Sequence, residues 1–162
     1  MVTGIRARSA AVSDAPAIAA IYNQGIEDRI ATFETRPRTP ADVERWLGGR
    51  HPIVVVEDGG RVVAFASTSE YRPRECYAGI AEFSIYVARE ERRRGHGRLA
   101  LEALFAAAAE AGFWKLVSRV FVENAASREL LKSTGFREVG IYQRHASLDG
   151  NWRDVVIVEK LL

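Results

Sequence analysis

The sequence contains little cysteine, no apolar run of membrane-spanning length and almost no excess of either charge. Cys76 is the single cysteine, so an internal disulfide is excluded. The Ala- and Leu-rich stretch 99–111 is shorter than the roughly 20 residues that cross a bilayer, and it carries Glu102 and Glu110. Residues 1–6 contain no apolar signal region. We therefore expect a cytoplasmic protein that does not act in a membrane.

The near balance of charge argues against a general nucleic-acid-binding surface. Lys and Arg number 23 against 21 Asp and Glu, which gives a net charge of +2. Any site for an anion must therefore be local. With 162 residues, 48% hydrophobic and 27% charged side chains, the chain is predicted to form one α/β domain over 1–162, without repeats or linkers.

Alternation and turn signals predict a mixed sheet of about seven strands with four helices. Asp58-Gly59-Gly60 separates the β-rich runs 52–57 and 61–71, which is typical of a hairpin. Thr39 before Pro40 predicts a capped helix that ends at Gly48-Gly49. The other predicted strands are 5–10, 79–88, 115–122, 136–148 and 152–161, and the other helices start near residue 13 or cover 98–111 and 125–133. This order indicates an antiparallel first half followed by a β-α-β unit.

A basic, glycine-containing loop, Arg92-Arg93-Arg94-Gly95-His96-Gly97-Arg98, follows a predicted strand and opens a predicted helix. Successive backbone N–H groups and the helix dipole can bind one anion there, and glycines let a phosphate approach the backbone. The loop lacks the Lys-Ser/Thr end of triphosphate-binding loops, and Ala100 replaces the third glycine of the dinucleotide fingerprint. We expect a pyrophosphate ligand; the alternative is a solvated arginine-rich turn.

This loop and its surroundings resemble the GNAT N-acetyltransferase superfamily. The helix and strand after it lead to Asn124-Ala-Ala-Ser127, which opens a short helix ending at Thr134-Gly135-Phe136. The resemblance implies the GNAT acyl-CoA N-acyltransferase fold and acetyl-CoA as co-substrate, with pyrophosphate on the loop and pantetheine paired to a strand. The cofactor-binding residues that it implies are Ile85, Tyr86, Val87, Arg93, Arg94, Gly95, His96, Gly97, Arg98, Asn124 and Ser127.

A closer resemblance is to the phosphinothricin, arsinothricin and methionine sulfoximine N-acetyltransferases, which acetylate the α-amino group of glutamate-like amino acids and methionine derivatives. The segments that carry it are 31–40, 71–77, 82–87 and 151–155. The resemblance implies that Arg72 and Arg74 hold the acidic groups of the substrate and that Phe33 and Glu34 line its pocket. It also implies that Glu82 lies beside the amine and that two chains form a homodimer.

Glu82 is the candidate catalytic residue. It shares one strand face with Ser84 and Tyr86 and has apolar neighbours, an unusual place for a carboxylate. A general base is needed because an α-amine is largely ammonium at neutral pH and must lose a proton before it attacks a thioester. The alternative is that Glu82 pairs with an arginine or only orients the ammonium.

No general acid is assigned. In the superfamily that the chain resembles, many members have Tyr or His at the position of Leu131, where it can protonate the leaving thiolate. Here Tyr142 or a water could supply the proton, or the CoA thiolate could leave unprotonated. His51, His96 and His145 show no metal-ligand spacing, and we predict no metal.

The favoured function is direct acetyl transfer from acetyl-CoA to a small acidic amino acid. An acyl intermediate on Cys76 is the alternative chemistry, but no His/Asp relay lies near it in the sequence. Two other functions remain open. One is N-acetylation of a protein, a peptide or another amine, and the other is CoA binding without turnover.

Overall fold

The computed structural model describes residues 4–162, so residues 1–3 of the predicted domain lie outside the description. Within that range it shows one sheet and four helices, which confirms the predicted mixed α/β fold. The strands are β1 (Ile5–Ser9), β2 (Ile53–Asp58), β3 (Arg61–Glu70), β4 (Ile80–Val87), β5 (Lys115–Phe121), β6 (Arg137–Leu148) and β7 (Asn151–Leu161). The helices are α1 (Ala15–Asp28), α2 (Pro40–Glu44), α3 (His96–Glu110) and α4 (Ala125–Ser133). None of these helices is long and apolar enough to cross a membrane.

The strand order is β1-β2-β3-β4-β5-β7-β6. Neighbouring strands are antiparallel except β4 and β5, which run parallel and are connected through α3. The predicted antiparallel first half and the β-α-β unit are therefore confirmed. The single parallel pair lies in the middle of the sheet and is flanked by helices.

Two helix boundaries differ from the predicted ones. The Thr39 cap is confirmed, since its hydroxyl accepts the Asp42 N–H, but α2 ends at Glu44 and not at Gly48. The next residues form tighter i→i+3 turns while Trp46 packs edge-on against Tyr22 of α1, so tertiary packing replaces further helix. Helix α3 starts at His96, earlier than predicted, because the Gly95 carbonyl accepts its first helical hydrogen bond.

Helices cover both faces of the sheet. Helix α3 packs Leu101 and Leu104 on one face, against a cluster that includes Phe83 of β4. Helices α1 and α2 cover the other face, in a cluster that includes Tyr86. The predicted alternation along β4 is thus confirmed, and Glu82 and Ser84 belong to the face that Tyr86 shares with α1.

Candidate active site

A cleft opens where β4 and β5 diverge. Their parallel ladder pairs only residues 80–82 with 115–117, and beyond it the Ser118 hydroxyl donates to the Phe83 carbonyl at 2.9 Å. The rest of β4 therefore has no β5 partner on this edge. The resulting β4–β5 cleft has a volume of about 540 Å³ and is lined by residues 83–87 of β4, 118–121 of β5, the start of α3 and one side of α4. An extended ligand can lie in it and pair with the free edge of β4.

One end of the β4–β5 cleft is the N-terminus of α3. Gly95 has a φ of +84°, and Leu99 donates the first helical hydrogen bond to its carbonyl. The N–H groups of residues 96–98 therefore have no partner in the helix, and these residues line the cleft. A Cβ on Gly97 would lie 3.0 Å from a Leu130 methyl carbon, so glycine also keeps α3 close to α4. This end of the cleft is built to bind an anion.

The arginines of this loop have different positions. Arg93 and Arg98 line the cleft, and the Arg98 guanidinium also donates to the Ser133 hydroxyl at 2.7 Å. Arg94 is not among the lining residues; its guanidinium pairs with Glu91 at 3.2 Å. Arg92, which lines the cleft, pairs with Asp28 of α1 at 2.8 Å. Arg92 therefore connects the loop to α1, while the backbone N–H groups of residues 96–98 are available to an anion.

Asn124 and Ser127 line the cleft from the start of α4. The Asn124 side-chain oxygen accepts the Ser127 N–H at 3.2 Å, which caps the helix. Its amide nitrogen donates to the Ile30 carbonyl at 3.2 Å. Asn124 therefore connects α4 to the segment after α1, where Ile30 also lines the cleft.

Glu82 forms an ion pair with Arg119, so the alternative pairing considered for this carboxylate is present. The Arg119 Nη2 atom lies 2.5 Å from Glu82 Oε1, and Nη1 lies 3.4 Å from His145 Nε2. The His145 ring is 5.0 Å from that of Tyr142. Sequence reasoning missed Arg119 and the contact of His145, because Glu82, Arg119 and His145 lie on three different strands and come together only in the folded sheet.

A second cavity of about 420 Å³ is lined by β3, by single residues of β2, β4 and α1, and by the segment after α2. Sequence reasoning did not identify it. Ser84 lines both this cavity and the β4–β5 cleft, and Ser69 is opposite Glu82 in the β3–β4 register. Burial lowers the pKa of His51, which favours its neutral form. The lining residues are Tyr22, Trp46, His51, Ile53, Phe65, Ser67, Thr68, Ser69, Glu70 and Ser84.

Arg72 and Arg74 lie on the exposed loop between β3 and β4 and line neither cavity. Their guanidinium carbons lie 5.0 Å from the Tyr71 ring centre and 5.8 Å from that of Tyr77, respectively. A hydrogen bond to Tyr71, and more weakly the charge of Tyr142, raises the pKa of Arg72. Neither arginine has a carboxylate partner within residues 4–162.

Phe33 and Glu34 lie on the segment between α1 and α2. The Phe33 ring packs edge-on against Phe121 of β5 with centres 4.8 Å apart, in a cluster below β7. Glu34 is exposed and pairs with Arg38 at 3.0 Å. Phe33 and Glu34 line neither cavity, although Phe33 contacts Phe121, which lines the β4–β5 cleft.

A cluster of Asp58, Glu91 and His96 lies under the α3 loop, with ligand atoms within 4.8 Å of one another. Arg61 at 2.8 Å and Arg94 at 3.2 Å already bind the Glu91 carboxylate, so these arginines compete with a cation for Glu91. Distant sequence positions form the cluster, so spacing could not reveal it. The expected absence of a metal stays a prediction.

Leu131 is buried and lines the β4–β5 cleft, and its side chain has no proton to donate. Tyr142 is exposed and packs against His145. The structure adds no general acid at the Leu131 position.

Diverging parallel strands, a helix N-terminus suited to an anion and a second cavity that shares Ser84 with the cleft are features of a coenzyme-dependent group-transfer fold. Glu82 lines neither cavity and lies two residues before Ser84 on the same strand face. The profile of the Acetyltransferase (GNAT) family matches residues 19–136, and the chain belongs to that family. It is an acetyl-CoA-dependent N-acetyltransferase.

Three relatives agree with this membership. The L-methionine sulfoximine/L-methionine sulfone acetyltransferase of Pseudomonas aeruginosa is 32% identical over 94% of this chain and 91% of its own. A phosphinothricin acetyltransferase of Sinorhizobium meliloti, solved with acetyl-CoA, is 27% identical with a TM-score of 0.90, over 99% and 89% of the two chains. A ribosomal-protein-alanine N-acetyltransferase of Brucella melitensis is 34% identical with a TM-score of 0.91, over 96% and 99%.

Proposed function

We propose that the protein transfers acetyl from acetyl-CoA directly to the α-amino group of a small acidic amino acid or analogue of the phosphinothricin, arsinothricin or methionine sulfoximine type. The observation that carries this proposal is the meeting of the two cavities at Ser84, with Glu82 on the same strand face. One cavity suits the cofactor and the other suits a compact acceptor. The named relatives that act on such amino acids support the substrate class.

The cofactor would lie along the β4–β5 cleft. Its pyrophosphate would bind the N–H groups of residues 96–98, and its pantetheine would pair with the free edge of residues 85–87. The glycine-containing loop, Arg93, Arg98, Asn124 and Ser127 would surround it. This arrangement would bring the thioester to Ser84, where the second cavity begins.

Glu82 would take a proton from the acceptor ammonium, directly or through a water. The freed amine would attack the thioester carbon, so that a C–N bond forms and the C–S bond breaks. The electron pair of the C–S bond leaves with the CoA thiolate. Leu131 offers this thiolate no proton, so water would protonate it in the site or after its release.

Arg72 and Arg74 would hold the side-chain anion of the acceptor. Both guanidinium groups lack carboxylate partners within residues 4–162, so they are available to an incoming oxyanion. Guanidinium forks match carboxylate and phosphinate oxygens. Phe33 and Glu34 would border the acceptor from the segment after α1.

The test is a panel of acceptors with acetyl-CoA: phosphinothricin, methionine sulfoximine, methionine sulfone and glutamate. Thiol release and product mass are measured under steady-state conditions. We expect turnover with at least one of these acceptors and a product heavier by one acetyl group. Thiol release that is the same with and without every acceptor would overturn the proposal.

A second candidate is acetylation of a protein N-terminus. The Brucella relative named for ribosomal-protein alanine supports it. The same assay distinguishes the two when a peptide with N-terminal alanine is added to the panel. A higher kcat/KM for the peptide than for every amino acid would favour this second function.

We also propose a homodimer that uses the β6–β7 edge of the sheet. Apolar side chains are exposed on these two strands, including Ile141 at 53% and Trp152 at 63%. Strand β6 is the last strand of the sheet order and spans Arg137–Leu148. A long edge strand with exposed apolar residues is suited to cover by a second copy.

A further inference from the structure

We propose that Arg119 binds the α-carboxylate of the acceptor, so that Glu82 and Arg119 together form a receptor for the head group of an α-amino acid. This inference rests on the proposed function. It assigns a binding residue to the carboxylate of the acceptor that lies nearest the reacting amine. The ammonium would meet the Glu82 carboxylate, and the carboxylate beside it would meet the Arg119 guanidinium.

Arg119 has the position that this role requires. It lines the β4–β5 cleft, its side chain is 47% exposed, and its Nη2 atom contacts Glu82. A guanidinium has five N–H donors in a fixed plane. Glu82 uses one side of this plane and His145 lies 3.4 Å from Nη1, so donors remain for an incoming carboxylate.

The chemistry of an α-amino acid explains why this cation must be next to Glu82. The ammonium and carboxylate groups are attached to one carbon, so a group that binds the carboxylate must adjoin the group that takes the proton. The other arginines that line the cleft are in the α3 loop, namely Arg92, Arg93 and Arg98. Arg119 is the arginine that both lines the cleft and contacts Glu82 within residues 4–162.

Nearby cations are less suited to this role. Arg153 stacks over the Phe121 ring at 5.4 Å, and Arg38 pairs with Glu34 at 3.0 Å. Arg72 and Arg74 lie on the exposed loop, outside both cavities. The acidic groups of the acceptor are therefore divided: Arg119 binds the α-carboxylate, and the loop arginines bind the side-chain anion.

The test compares L-methionine sulfone with 3-(methylsulfonyl)propylamine, which has the same side chain and amine but no α-carboxylate. We expect the wild-type enzyme to have the higher kcat/KM for the amino acid. Arg119→Gln should reduce this preference about 30-fold or more, because a charged partner of a buried carboxylate is lost. Arg119→Lys keeps the charge but not the fork, so it should lose only part of the preference.

Arg137→Gln is the matched control, since Arg137 is also a strand arginine paired with a glutamate but lies outside both cavities. It should leave the preference unchanged. An unchanged KM for acetyl-CoA in each variant checks that the cleft is folded.

The inference would be overturned by an equal fall in kcat/KM for both acceptors in Arg119→Gln, which would make Arg119 a positioning residue for Glu82. A wild-type enzyme without preference would also overturn it. Turnover with the alanine peptide but with no amino acid would instead refute the proposed function, and the head-group assignment with it.

Discussion

Gly95 precedes α3 at the end of the β4–β5 cleft where the pyrophosphate is proposed to bind. Its φ of +84° is unfavourable for other residues, yet an added Cβ would meet no atom within 4 Å. Gly59, in the turn between β2 and β3, has a φ of +60° and is equally open. Each Gly→Ala change should therefore destabilise the fold by about 1 kcal/mol. Only Gly95→Ala should also raise the KM for acetyl-CoA, by about tenfold.

Thermal unfolding of these two variants measures the destabilisation that backbone strain causes in both. The KM for acetyl-CoA measures the loss of phosphate contact, which is expected only in Gly95→Ala. An identical KM for Gly95→Ala and Gly59→Ala would contradict the placement of the pyrophosphate on this loop.

Arg74 is the second position where a single side chain can be tested. If Arg74 holds the side-chain anion, Arg74→Ala should raise the KM for phosphinothricin by about tenfold or more. The KM for acetyl-CoA should change far less. Arg45 is an exposed arginine that pairs with Asp42 and lines neither cavity, so Arg45→Ala is the control. Equal effects of both substitutions would remove Arg74 from the substrate site.

The order of strands and helices along the chain could be predicted because local sequence patterns specify it. The β2–β3 hairpin follows from two adjacent glycines, and the start of α2 follows from Thr39 and Pro40. The predicted end of α2 was wrong, because Trp46 packs on Tyr22 and the chain turns more tightly there. Contacts between distant segments decide such helix boundaries, and local helix propensity carries no information about those contacts.

An ion pair connects α4 to β6, and it predicts a pH effect on stability. Hydrogen bonding from Arg128 lowers the pKa of Glu138 from 4.5 to about 2. Because the folded-state pKa is the lower one, the pair should stabilise the fold fully above about pH 4.5 and lose this contribution as the pH falls to about 2. Thermal unfolding of wild type and Glu138→Gln from neutral pH to about 2 measures the effect.

The difference in melting temperature between the two proteins should shrink across that acidic window. Glu102, an exposed glutamate of α3 that lies 3.9 Å from Arg98, is the control, and Glu102→Gln should change the melting temperature little because exposed ion pairs contribute little stability. A Glu138→Gln difference that stays constant down to the lowest pH would show that the pair contributes no linked stability.

The sequence indicates the proposed cofactor loop more completely than it indicates the proposed acceptor site. The cofactor loop is local, because a strand, a glycine turn and a helix N-terminus follow one another in the chain. The contact of Glu82 with Arg119 spans 37 positions and exists only after β4, β5 and α3 assemble. The second cavity likewise combines residues of several elements, and no spacing pattern identifies it.

The proposed homodimer can be tested by its mass in solution. Light scattering at micromolar concentration should give twice the 18.0 kDa chain mass. A charge at the exposed edge should oppose association, so Ile141→Lys should shift the protein to monomer. Val12 is also exposed but lies before α1, and Val12→Lys is the control that should remain dimeric. A monomeric wild-type protein would contradict the dimer.

We propose that Glu82 takes the proton from the acceptor amine. Single-turnover acetylation by wild type and Glu82→Gln, at saturating acetyl-CoA and acceptor, tests it across the pH range of amine ionisation. If Glu82 is the base, the substitution lowers the rate by roughly 10²-fold or more, changes the acidic limb of the pH profile and leaves acetyl-CoA binding intact. Equal saturating rates at every pH, with the loss confined to acceptor affinity, would contradict this role.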